Sequence, residues 1–489
     1  MVKYKSIKNK MTGIRKMRKT KIVCTIGPAC SSEEMMEKML KVGMNVARFN
    51  FSHGTLDYHK ELMDKFRKVR DRLKLPAAVL LDTKGPEIRL KNFEGGKVEL
   101  VKGEQFVLTN REVAGSSSEA SISYPELVGQ LKDGTRILID DGKVALTVES
   151  SSETDIICRV EVGGFVSNHK SINIPNTHID MPYISEKDKA DLLFGIEEDV
   201  DFVAASFVRS ADNVIELRRF LDYHGGHSIK IISKIENMEG VQNFEEILKY
   251  SDGIMVARGD MGVEIAFEKL PGIQKRFIRK CYSSGKMVIT ATQMLESMIH
   301  SATPTRAEIT DVANAVFDGT SAVMLSGETA TGSHPALVVK TMARIAEQAE
   351  RDALELDVYS NRVYENENFD VTNALCDAAV TTARDISADL IIAVTKSGHT
   401  ARRVSKFRPS QTIVAATPEL KTFHQLSLSW GVVPTLSLRQ SDTDTLFIHA
   451  IDCAKGLDLA KRGDKAVITA GVPLNVSGTT NLLKVQTVN

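Results

Sequence analysis

The sequence predicts an α/β protein in which eight buried parallel strands alternate with helices, interrupted by one β-rich insertion and followed by a second α/β unit. Short runs rich in Val and Ile recur along residues 20–355, amphipathic stretches separate them, and the alternation breaks once, over residues 87–179. Short, nearly continuous apolar runs are typical of strands buried on both faces. At 489 residues the chain is long enough for several domains.

The barrel strands are predicted from their apolar runs, which cover residues 21–26, 45–51, 77–82, 202–207, 230–235, 253–257, 287–291 and 322–325. Helical patterns such as 34–41 and 185–196 lie between them. Ser31 and Ser185 are predicted N-caps, the latter with Asp188 close to capping-box spacing. Eight strands with eight helices is the composition of a TIM barrel, which we expect over residues 20–86 and 180–355.

The break in the alternation predicts an inserted domain. Residues 87–179 lack a helical period and show alternating patterns, for example at 136–140 and 156–162, so we expect a separate β-barrel domain in the third βα loop. A long helix over 335–354 and a polar join over 359–368 follow the barrel. A C-terminal α/β domain is expected over 356–489, with strands near 390–394, 412–415, 432–435 and 465–469.

Charge, hydropathy and cysteine usage exclude several classes of protein. The 63 Lys and Arg residues balance 63 Asp and Glu residues, which gives no reason to expect a nucleic-acid or anionic-membrane partner. Residues 1–19 form a basic arm, interpreted as a solvated segment before the fold. Without a signal-peptide core or an apolar run of about eighteen residues, we expect a cytoplasmic protein.

The six cysteines contain no CxxC pair, which argues against a zinc site or a disulfide framework. Most of them lie within apolar runs and are expected to be buried thiols. Cys30, beside two serines at a predicted helix start, is the candidate reactive thiol.

Polar and charged residues follow six of the eight predicted strands, where the chemistry of such a barrel takes place. They are Arg48, Asn50, Ser52 and His53, then Asp82, Thr83 and Arg89, then Lys234 and Glu236, Gly259 and Asp260, Thr292, and Ser326. Each one alone would be interpreted as an ion pair, a cap or a turn residue. Because they fall at the same end of successive strands, they indicate one shared site.

The oxygen ligands of this set divide into two groups. Glu236 and Asp260 are hard carboxylate ligands on adjacent strands, suited to Mg²⁺ or Mn²⁺ with substrate oxygens and water completing the shell. The second group offers one negative charge among neutral oxygens, which suits a monovalent cation better. It consists of Asn50, Ser52, Asp82 and Thr83.

The remaining groups favour anions. Arg48 and Lys234 are cations suited to a phosphoryl group in transfer. A turn at Gly259 and Asp260 is expected to expose backbone N–H groups to a carboxylate, with the Thr292 hydroxyl beside them. Together these parts imply phosphoryl transfer assisted by a divalent metal ion.

The chain resembles the pyruvate kinase family over essentially its full length. Residues 231–241, which include Ile232-Ser233-Lys234-Ile235-Glu236, are similar to the family's signature around its catalytic lysine and metal-binding glutamate. The family's other active-site segments are matched in the same order by residues 48–53, 82–89, 257–260, 290–293 and 324–329. Six segments in order are specific evidence.

The resemblance implies that the phosphoryl group of phosphoenolpyruvate is transferred to ADP, giving pyruvate and ATP. Glu236 and Asp260 would hold Mg²⁺ or Mn²⁺, and a second Mg²⁺ would arrive with the nucleotide. Arg48 and Lys234 would bind the phosphoryl group, and Lys234 would then stabilise the enolate. The substrate carboxylate would be bound by the backbone of Gly259 and Asp260, together with Thr292.

The resemblance also implies a K⁺ site formed by Asn50, Ser52, Asp82 and Thr83. Glu87 stands at the position where K⁺-dependent family members carry glutamate, so a K⁺ requirement is predicted. No proton donor to the enolate is assigned, since Thr292 and Ser326 would only orient a water molecule and neither is an acid of suitable pKa.

The residues that match the family's nucleotide site are Pro28, His53, Tyr58, Arg89 and Lys170. Lys170 belongs to the inserted domain, which closes as a lid in the family. Ser171 and Asn176 stand where the family more often has glycine, so the resemblance does not determine the geometry of the lid.

A second site is predicted in the C-terminal domain, in a loop that follows a strand and opens a helix. It consists of Thr395, Lys396, Ser397, Gly398, His399 and Thr400, and it resembles the family's effector loop for a phosphate group. Residues 471–480 would close over it. An ordinary capped turn is the alternative. The resemblance implies a phosphorylated effector of unspecified identity and a homotetramer.

Two other functions compete with this one. A barrel lyase or aldolase acting through a Mg²⁺ enolate would also use Glu236 and Asp260, but it would need neither the monovalent-cation residues nor the inserted domain. A non-catalytic metabolite-binding regulator is the second alternative. It would be expected to have lost Lys234, Glu236 or Asp260, and the sequence keeps all three.

Overall fold

The structure, a computed structural model, describes residues 18–359, 370–474 and 478–489. Eight parallel strands form a closed barrel in which each pairs with its neighbours in chain order and the eighth closes on the first. These barrel strands are Lys21–Thr25, Val46–Asn50, Ala78–Asp82, Phe202–Ala205, Lys230–Ile235, Gly253–Ala257, Met287–Ala291 and Ala322–Leu325. The prediction of a TIM barrel is confirmed, with every strand within two residues of its expected bounds.

Helices surround the barrel, and apolar side chains such as Val23, Leu80, Ile232 and Met255 fill its interior. The helices of this part are Glu33–Val42, Leu56–Leu73, Glu186–Glu197, Ala211–Tyr223, Met238–Gln242, Phe244–Tyr250, Arg258–Glu264, Leu270–Ser283, Arg306–Asp318, Gly327–Ala330 and Pro335–Glu355, with 3₁₀ turns at Pro28–Cys30, Phe267–Lys269 and Glu296–Ile299. Across the described parts of the chain, no helix combines the length and apolarity needed to cross a membrane.

Two helix starts test the predicted caps. Ser185 caps Glu186–Glu197 through a capping box with Asp188, as expected. The prediction for Ser31 is wrong, because residues Pro28–Cys30 form a 3₁₀ turn and the Ser31 hydroxyl donates to the Pro28 carbonyl instead. The cap of Glu33–Val42 is Ser32, whose hydroxyl accepts a hydrogen bond from the Met35 N–H at 3.2 Å.

The same 3₁₀ turn contradicts the expectation of a reactive thiol at Cys30. That side chain is fully buried, and burial raises the pKa of its thiol to about 11. A thiol protonated at neutral pH and shielded from solvent is a poor nucleophile.

The insertion leaves the barrel after the third strand and consists of β-structure. A seven-stranded sheet contains, in spatial order, Ile88–Arg89, Ser171–Asn173, Arg136–Ile139, Val144–Ser151, Asp155–Val162, Gln105–Thr109 and Glu119–Ser121. Gly164–Ser167 pairs with Lys97–Leu100 in a second sheet, and Pro125–Leu127 is a 3₁₀ turn. The strands enclose their own apolar core, which includes Phe106, Ile137 and Leu146.

The C-terminal part contains a five-stranded sheet in the order Val432–Leu436, Thr412–Thr417, Leu390–Val394, Lys465–Gly471 and Thr480–Thr487. Four of these strands are parallel and correspond to the predicted ones, whereas Thr480–Thr487 is antiparallel and was not predicted. Its helices are Val371–Asp385, His399–Lys406, Leu420–Gln425 and Thr443–Gly456, with a 3₁₀ turn at Leu426–Leu428.

Some predictions fall outside the described residues. They are residues 1–17 of the basic arm, residues 360–368 of the polar join and residues 475–477 of the predicted closing segment. The expected domain bounds at 19, 86, 179 and 355 remain predictions.

Candidate active site

The C-terminal ends of the second, third and fifth barrel strands bring the predicted polar residues to one mouth. Asn50 lies beside Asp82 in the pairing of the second and third strands. The third strand pairs next with the fourth, where Asp82 lies beside Ala204, and the fourth pairs with the fifth, which carries Lys234. Lys234 and Glu236 stand two positions apart at the end of the fifth strand. In an extended segment this spacing places both side chains on the same face.

A chain of buried charges connects these strands. The Arg48 Nε donates to Asp82 Oδ2 at 2.6 Å, and the Lys234 Nζ donates to Asp82 Oδ1 at 3.0 Å. The same ammonium lies 3.0 Å from Glu236 Oε1. Asp82 and Glu236 are 0% and 2% exposed, so their charges depend on these cations for compensation. The structure therefore brings four predicted residues into one ionic cluster.

The cluster determines which of its groups are charged. Burial alone would disfavour the ammonium, but Asp82 and Glu236 outweigh it and raise the pKa of Lys234 above its ordinary value. Burial likewise opposes the charge of Asp82, yet Arg48 and Lys234 hold the pKa of that carboxyl below its usual range. Lys234 is therefore a cation at any physiological pH.

Glu236 behaves differently. Burial raises the pKa of its carboxyl above the ordinary value, the nearby charge of Asp260 adds to the effect, and Lys234 compensates only in part. Asp260 is half-buried, and within the described chain no group donates a hydrogen bond to its carboxylate. Two carboxylates with incomplete compensation form a donor set that favours an added cation.

The donor set fits a divalent ion that is shared with substrate. Among the described residues, no group of three or more His, Cys, Asp or Glu side chains is arranged to hold a metal ion alone. Glu236 and Asp260 provide two carboxylates, which is the number that Mg²⁺ commonly takes from a protein when substrate oxygens and water complete its octahedron.

The predicted monovalent-cation residues also lie at neighbouring strand ends. Asn50 Oδ1 accepts a hydrogen bond from the Ser52 N–H at 3.2 Å, and Thr83 Oγ1 accepts one from the Ser206 N–H at 3.1 Å. Asp82, the only charged member, is already shared by two cations. Neutral oxygens around a largely compensated carboxylate fit a singly charged ion better than a doubly charged one.

The segment around Gly259 differs in detail from the expected turn. It is the first turn of the helix Arg258–Glu264, and the Gly259 N–H donates to Thr292 Oγ1 at 2.8 Å. Thr292 has a φ of 69°, which is strained for a β-branched residue. Such strain at a strand end is typical of functional positions. Arg258 pairs with Asp311 of the helix Arg306–Asp318 and so supports the segment.

A cleft of about 910 Å³ separates the inserted domain from the mouth of the barrel. His53, Arg89, Lys170 and Asp260 are among the residues that line it, whereas the predicted nucleotide residues Pro28 and Tyr58 are not. Two of the cations that line the cleft, Arg89 and Lys170, are ion-paired in this structure. Arg89 lies 2.8 Å from a carboxylate oxygen of Glu87, and Lys170 lies 2.8 Å from one of Asp140.

The segment that leads from the insertion back to the barrel is bound by residues of the barrel. The Arg209 guanidinium donates to the carbonyls of Ile179 and Met181, at 2.7 and 2.6 Å. His178 lies 3.1 Å from Glu239. These contacts between distant segments are not visible in the sequence pattern.

Sequence reasoning missed three residues that contact the ionic cluster. The Ser206 hydroxyl accepts from Lys234 Nζ at 2.6 Å, the Phe207 N–H donates to Glu236 Oε2 at 2.6 Å, and Thr25 Oγ1 accepts from Arg48 Nη1 at 2.8 Å. Ser206 and Phe207 directly follow the fourth barrel strand, and Thr25 ends the first. Both strand ends had been predicted, so a systematic search of every strand end would have found these residues.

The predicted effector loop follows the strand Leu390–Val394 and leads into the helix His399–Lys406. Thr400 Oγ1 and Thr480 Oγ1 share a hydrogen bond at 2.7 Å, so residues from both predicted segments meet. Burial, together with the charges of Arg403 and Arg402, lowers the pKa of His399 to about 4. Arg402, whose guanidinium donates to the Ser397 carbonyl at 2.9 Å, places positive charge at the loop.

Comparisons with known proteins agree with the geometry. The family model described as the pyruvate kinase barrel domain matches residues 17–339, and the one described as the pyruvate kinase alpha/beta domain matches residues 373–486. The pyruvate kinase of Clostridium acetobutylicum is 48% identical to the chain over 473 residues, which is 96% of this chain and 100% of that protein. The pyruvate kinase of Staphylococcus aureus is 47% identical over 474 residues, 96% of this chain and 81% of that protein. On this evidence the chain belongs to the pyruvate kinase family and has the phosphotransferase activity of that family.

Proposed function

We propose that the buried cluster at the barrel mouth transfers the phosphoryl group of phosphoenolpyruvate to ADP. The observation that carries this proposal is the pair of cations, Arg48 and Lys234, which share the carboxylate of Asp82 beside Glu236. A coupled assay for pyruvate formation tests it. Formation that depends on ADP supports the transfer, whereas pyruvate released without ADP would favour a lyase or aldolase.

Arg48 and Lys234 bind the transferring phosphoryl group in this proposal. Both side chains are held by buried partners before substrate arrives, so little reorganisation is needed when negative charge develops. Lys234 remains charged because of Asp82 and Glu236, and it then stabilises the enolate left by the transfer. A divalent ion held by Glu236 and Asp260 would add Lewis-acid stabilisation of that charge.

The carboxylate of phosphoenolpyruvate is bound by the first turn of Arg258–Glu264, through the backbone of Gly259 and Asp260, and by the Thr292 hydroxyl. In this structure the Gly259 N–H donates to Thr292 Oγ1, so the two groups proposed to bind the carboxylate lie side by side. The final proton transfer to the enolate is assigned to no residue.

Lys170 is proposed to bind ADP phosphates from the inserted domain, which closes as a lid and excludes water. Replacing Lys170 with methionine is expected to raise the KM for ADP about tenfold, the effect of losing one charge-assisted hydrogen bond. The KM for phosphoenolpyruvate should change much less. Steady-state kinetics with each substrate varied in turn measures both.

Lys143 provides the matched control for that variant. Its ammonium donates to the other oxygen of Asp140 at 2.9 Å, and it is not among the residues that line the cleft. Lys143→Met should therefore keep the wild-type KM for ADP. An equal rise in both variants would mean that loss of charge around Asp140, rather than nucleotide contact, is responsible.

A K⁺ requirement follows from the oxygen cluster of Asn50, Ser52, Asp82 and Thr83. With Mg²⁺ present and tetramethylammonium replacing K⁺ at constant ionic strength, we expect activity to fall by about 5- to 150-fold, the usual range of coupling between two ligands. Initial rates over a KCl titration measure the effect. Comparable activity in buffer free of K⁺ would contradict the assignment.

The C-terminal loop is proposed to bind a phosphorylated effector. The adjacent hydroxyls of Thr400 and Thr480 and the positive charge of Arg402 at the loop support this. A screen of sugar phosphates and nucleotides should find a compound that shifts phosphoenolpyruvate saturation, and Thr400→Ala should weaken that shift while leaving activity without effector intact. A screen in which no compound shifts saturation would contradict the proposal. A homotetramer and a cytoplasmic location remain predictions.

A further inference from the structure

We propose that Ser206 is a positioning residue that couples the monovalent-cation cluster to Lys234. This inference rests on the proposed function and adds a residue to it. Ser206 directly follows the fourth barrel strand and is 2% exposed. Its hydroxyl lies between the Lys234 ammonium and the oxygens of Asp82 and Thr83.

The direction of the hydrogen bonds follows from the donors available. A hydroxyl has one proton to donate, and the Thr83 carbonyl at 2.6 Å is a closer acceptor than Asp82 Oδ1 at 3.2 Å. The ammonium of Lys234 can only donate, so Ser206 accepts from it at 2.6 Å. Ser206 thus connects Lys234 to the Thr83 carbonyl through two successive hydrogen bonds.

Thr83 is bound to Ser206 through both of its oxygens. The Ser206 N–H donates to Thr83 Oγ1 at 3.1 Å, and the Ser206 hydroxyl donates to the Thr83 carbonyl. Whichever oxygen of Thr83 contacts a cation, that oxygen also contacts Ser206. A cation bound at either oxygen of Thr83 would therefore share that oxygen with Ser206.

Among the described residues, Ser206 is also the one neutral partner of the Lys234 ammonium. The other two, Asp82 and Glu236, are carboxylates that belong to the proposed cation sites. Cations at those sites compete with Lys234 for the carboxylate oxygens. The Ser206 hydroxyl is uncharged, so a cation competes for it less strongly than for a carboxylate. It therefore keeps the Lys234 ammonium in position when the carboxylates bind other cations.

The local packing leaves room for a small side chain only. Gly85, with a φ of +74°, approaches so closely that an added Cβ would lie 2.8 Å from the Cβ of Ser206. The third-strand loop that carries Thr83 is therefore pressed against Ser206. Close contact of this kind limits the freedom of the hydroxyl and makes the serine a rigid connection.

The test compares Ser206→Ala with the wild-type protein in two measurements. Calorimetry of phosphoenolpyruvate binding, with Mg²⁺ and without ADP, gives the ratio of the Kd in tetramethylammonium chloride to the Kd in KCl. Steady-state kinetics gives kcat and KM. We expect the Kd ratio to fall toward one in the variant, and kcat to fall about ten- to a hundredfold, as expected for losing a hydrogen bond to a charged group.

Ser233→Ala is the matched control. Ser233 is also fully buried and precedes Lys234 in the chain, but its hydroxyl bonds to Ser251 at 2.7 Å, away from the ionic cluster. This variant should keep the wild-type Kd ratio and kcat. If Ser206→Ala does not fold, Ser206→Cys keeps the size of the side chain with a weakly bonding thiol and is expected to show the same losses.

A Kd ratio or a kcat that stays at the wild-type value in the folded variant would overturn the inference. So would a wild-type protein whose affinity for phosphoenolpyruvate ignores KCl. Either result would leave phosphoryl transfer itself standing. The proposed function fails separately, if the wild-type protein forms no pyruvate from phosphoenolpyruvate and ADP.

Discussion

Replacing Lys234 with methionine is expected to lower the kcat for ATP formation by at least about 10²- to 10³-fold. In the proposed function the Lys234 ammonium binds the phosphoryl group together with Arg48 and then stabilises the enolate, and methionine keeps most of the length of the side chain without its charge. Coupled assays of pyruvate formation, with both substrates saturating, measure the loss. A folded Lys234→Met protein with a near wild-type rate would show that the residue has been assigned wrongly.

The same variant should also be less stable. Asp82, a buried and charged carboxylate, would lose one of its two cationic partners, and breaking a buried ion pair costs about 3–5 kcal/mol of unfolding free energy. Denaturant unfolding detects this, and assays should be run where the variant remains folded. Lys230→Met is the matched control, since Lys230 begins the same strand and pairs with Asp252 at 3.0 Å away from the strand's C-terminal end. It should retain wild-type kcat.

Glu236→Gln is expected to have an equally large effect on activity with little effect on stability. Burial already disfavours the Glu236 charge, so an uncharged side chain of the same shape fits the folded protein without a cation. The Phe207 N–H keeps an oxygen acceptor, and Lys234 keeps Asp82 and Ser206. The loss should therefore appear in divalent-ion affinity, by about a hundredfold, and in kcat.

Electron paramagnetic resonance of Mn²⁺ measures that affinity directly, in the absence of turnover. Glu239→Gln is the matched control, because Glu239 lines the cleft together with Asp260 but pairs with His178. It should bind Mn²⁺ like the wild-type protein. Equal Mn²⁺ affinity in Glu236→Gln and the wild type would remove Glu236 from the metal site.

The barrel and the centre of its site were predictable because their signals are local. Each strand is a short apolar run, and Lys234 and Glu236 stand two positions apart at a strand end. The strand Thr480–Thr487 was missed because it lies at the edge of its sheet and is mostly exposed or partly buried, with polar residues such as Lys484 and Gln486 in it.

What the sequence could not supply are contacts between segments that are distant in the chain. The pairing of Lys170 with Asp140, and the contacts of Arg209 with the returning chain, depend on how the insertion sits against the barrel. Ser206 has no distinctive pattern of its own, since a serine after a strand is usually a turn residue. The prediction of a reactive thiol at Cys30 was wrong because the serines beside it suggested a helix start, whereas the residue ends a 3₁₀ turn and is buried.

The pairing of the first barrel strand with the eighth has a consequence for synthesis of the chain. Lys21 meets Ala322, and Thr329 donates to the Thr25 carbonyl, so residues made about three hundred positions apart must come together. Until the ribosome has passed this point, the first strand presents an open edge, which is a template for unwanted pairing. A chain truncated before the eighth strand would keep that edge open and is therefore expected to aggregate.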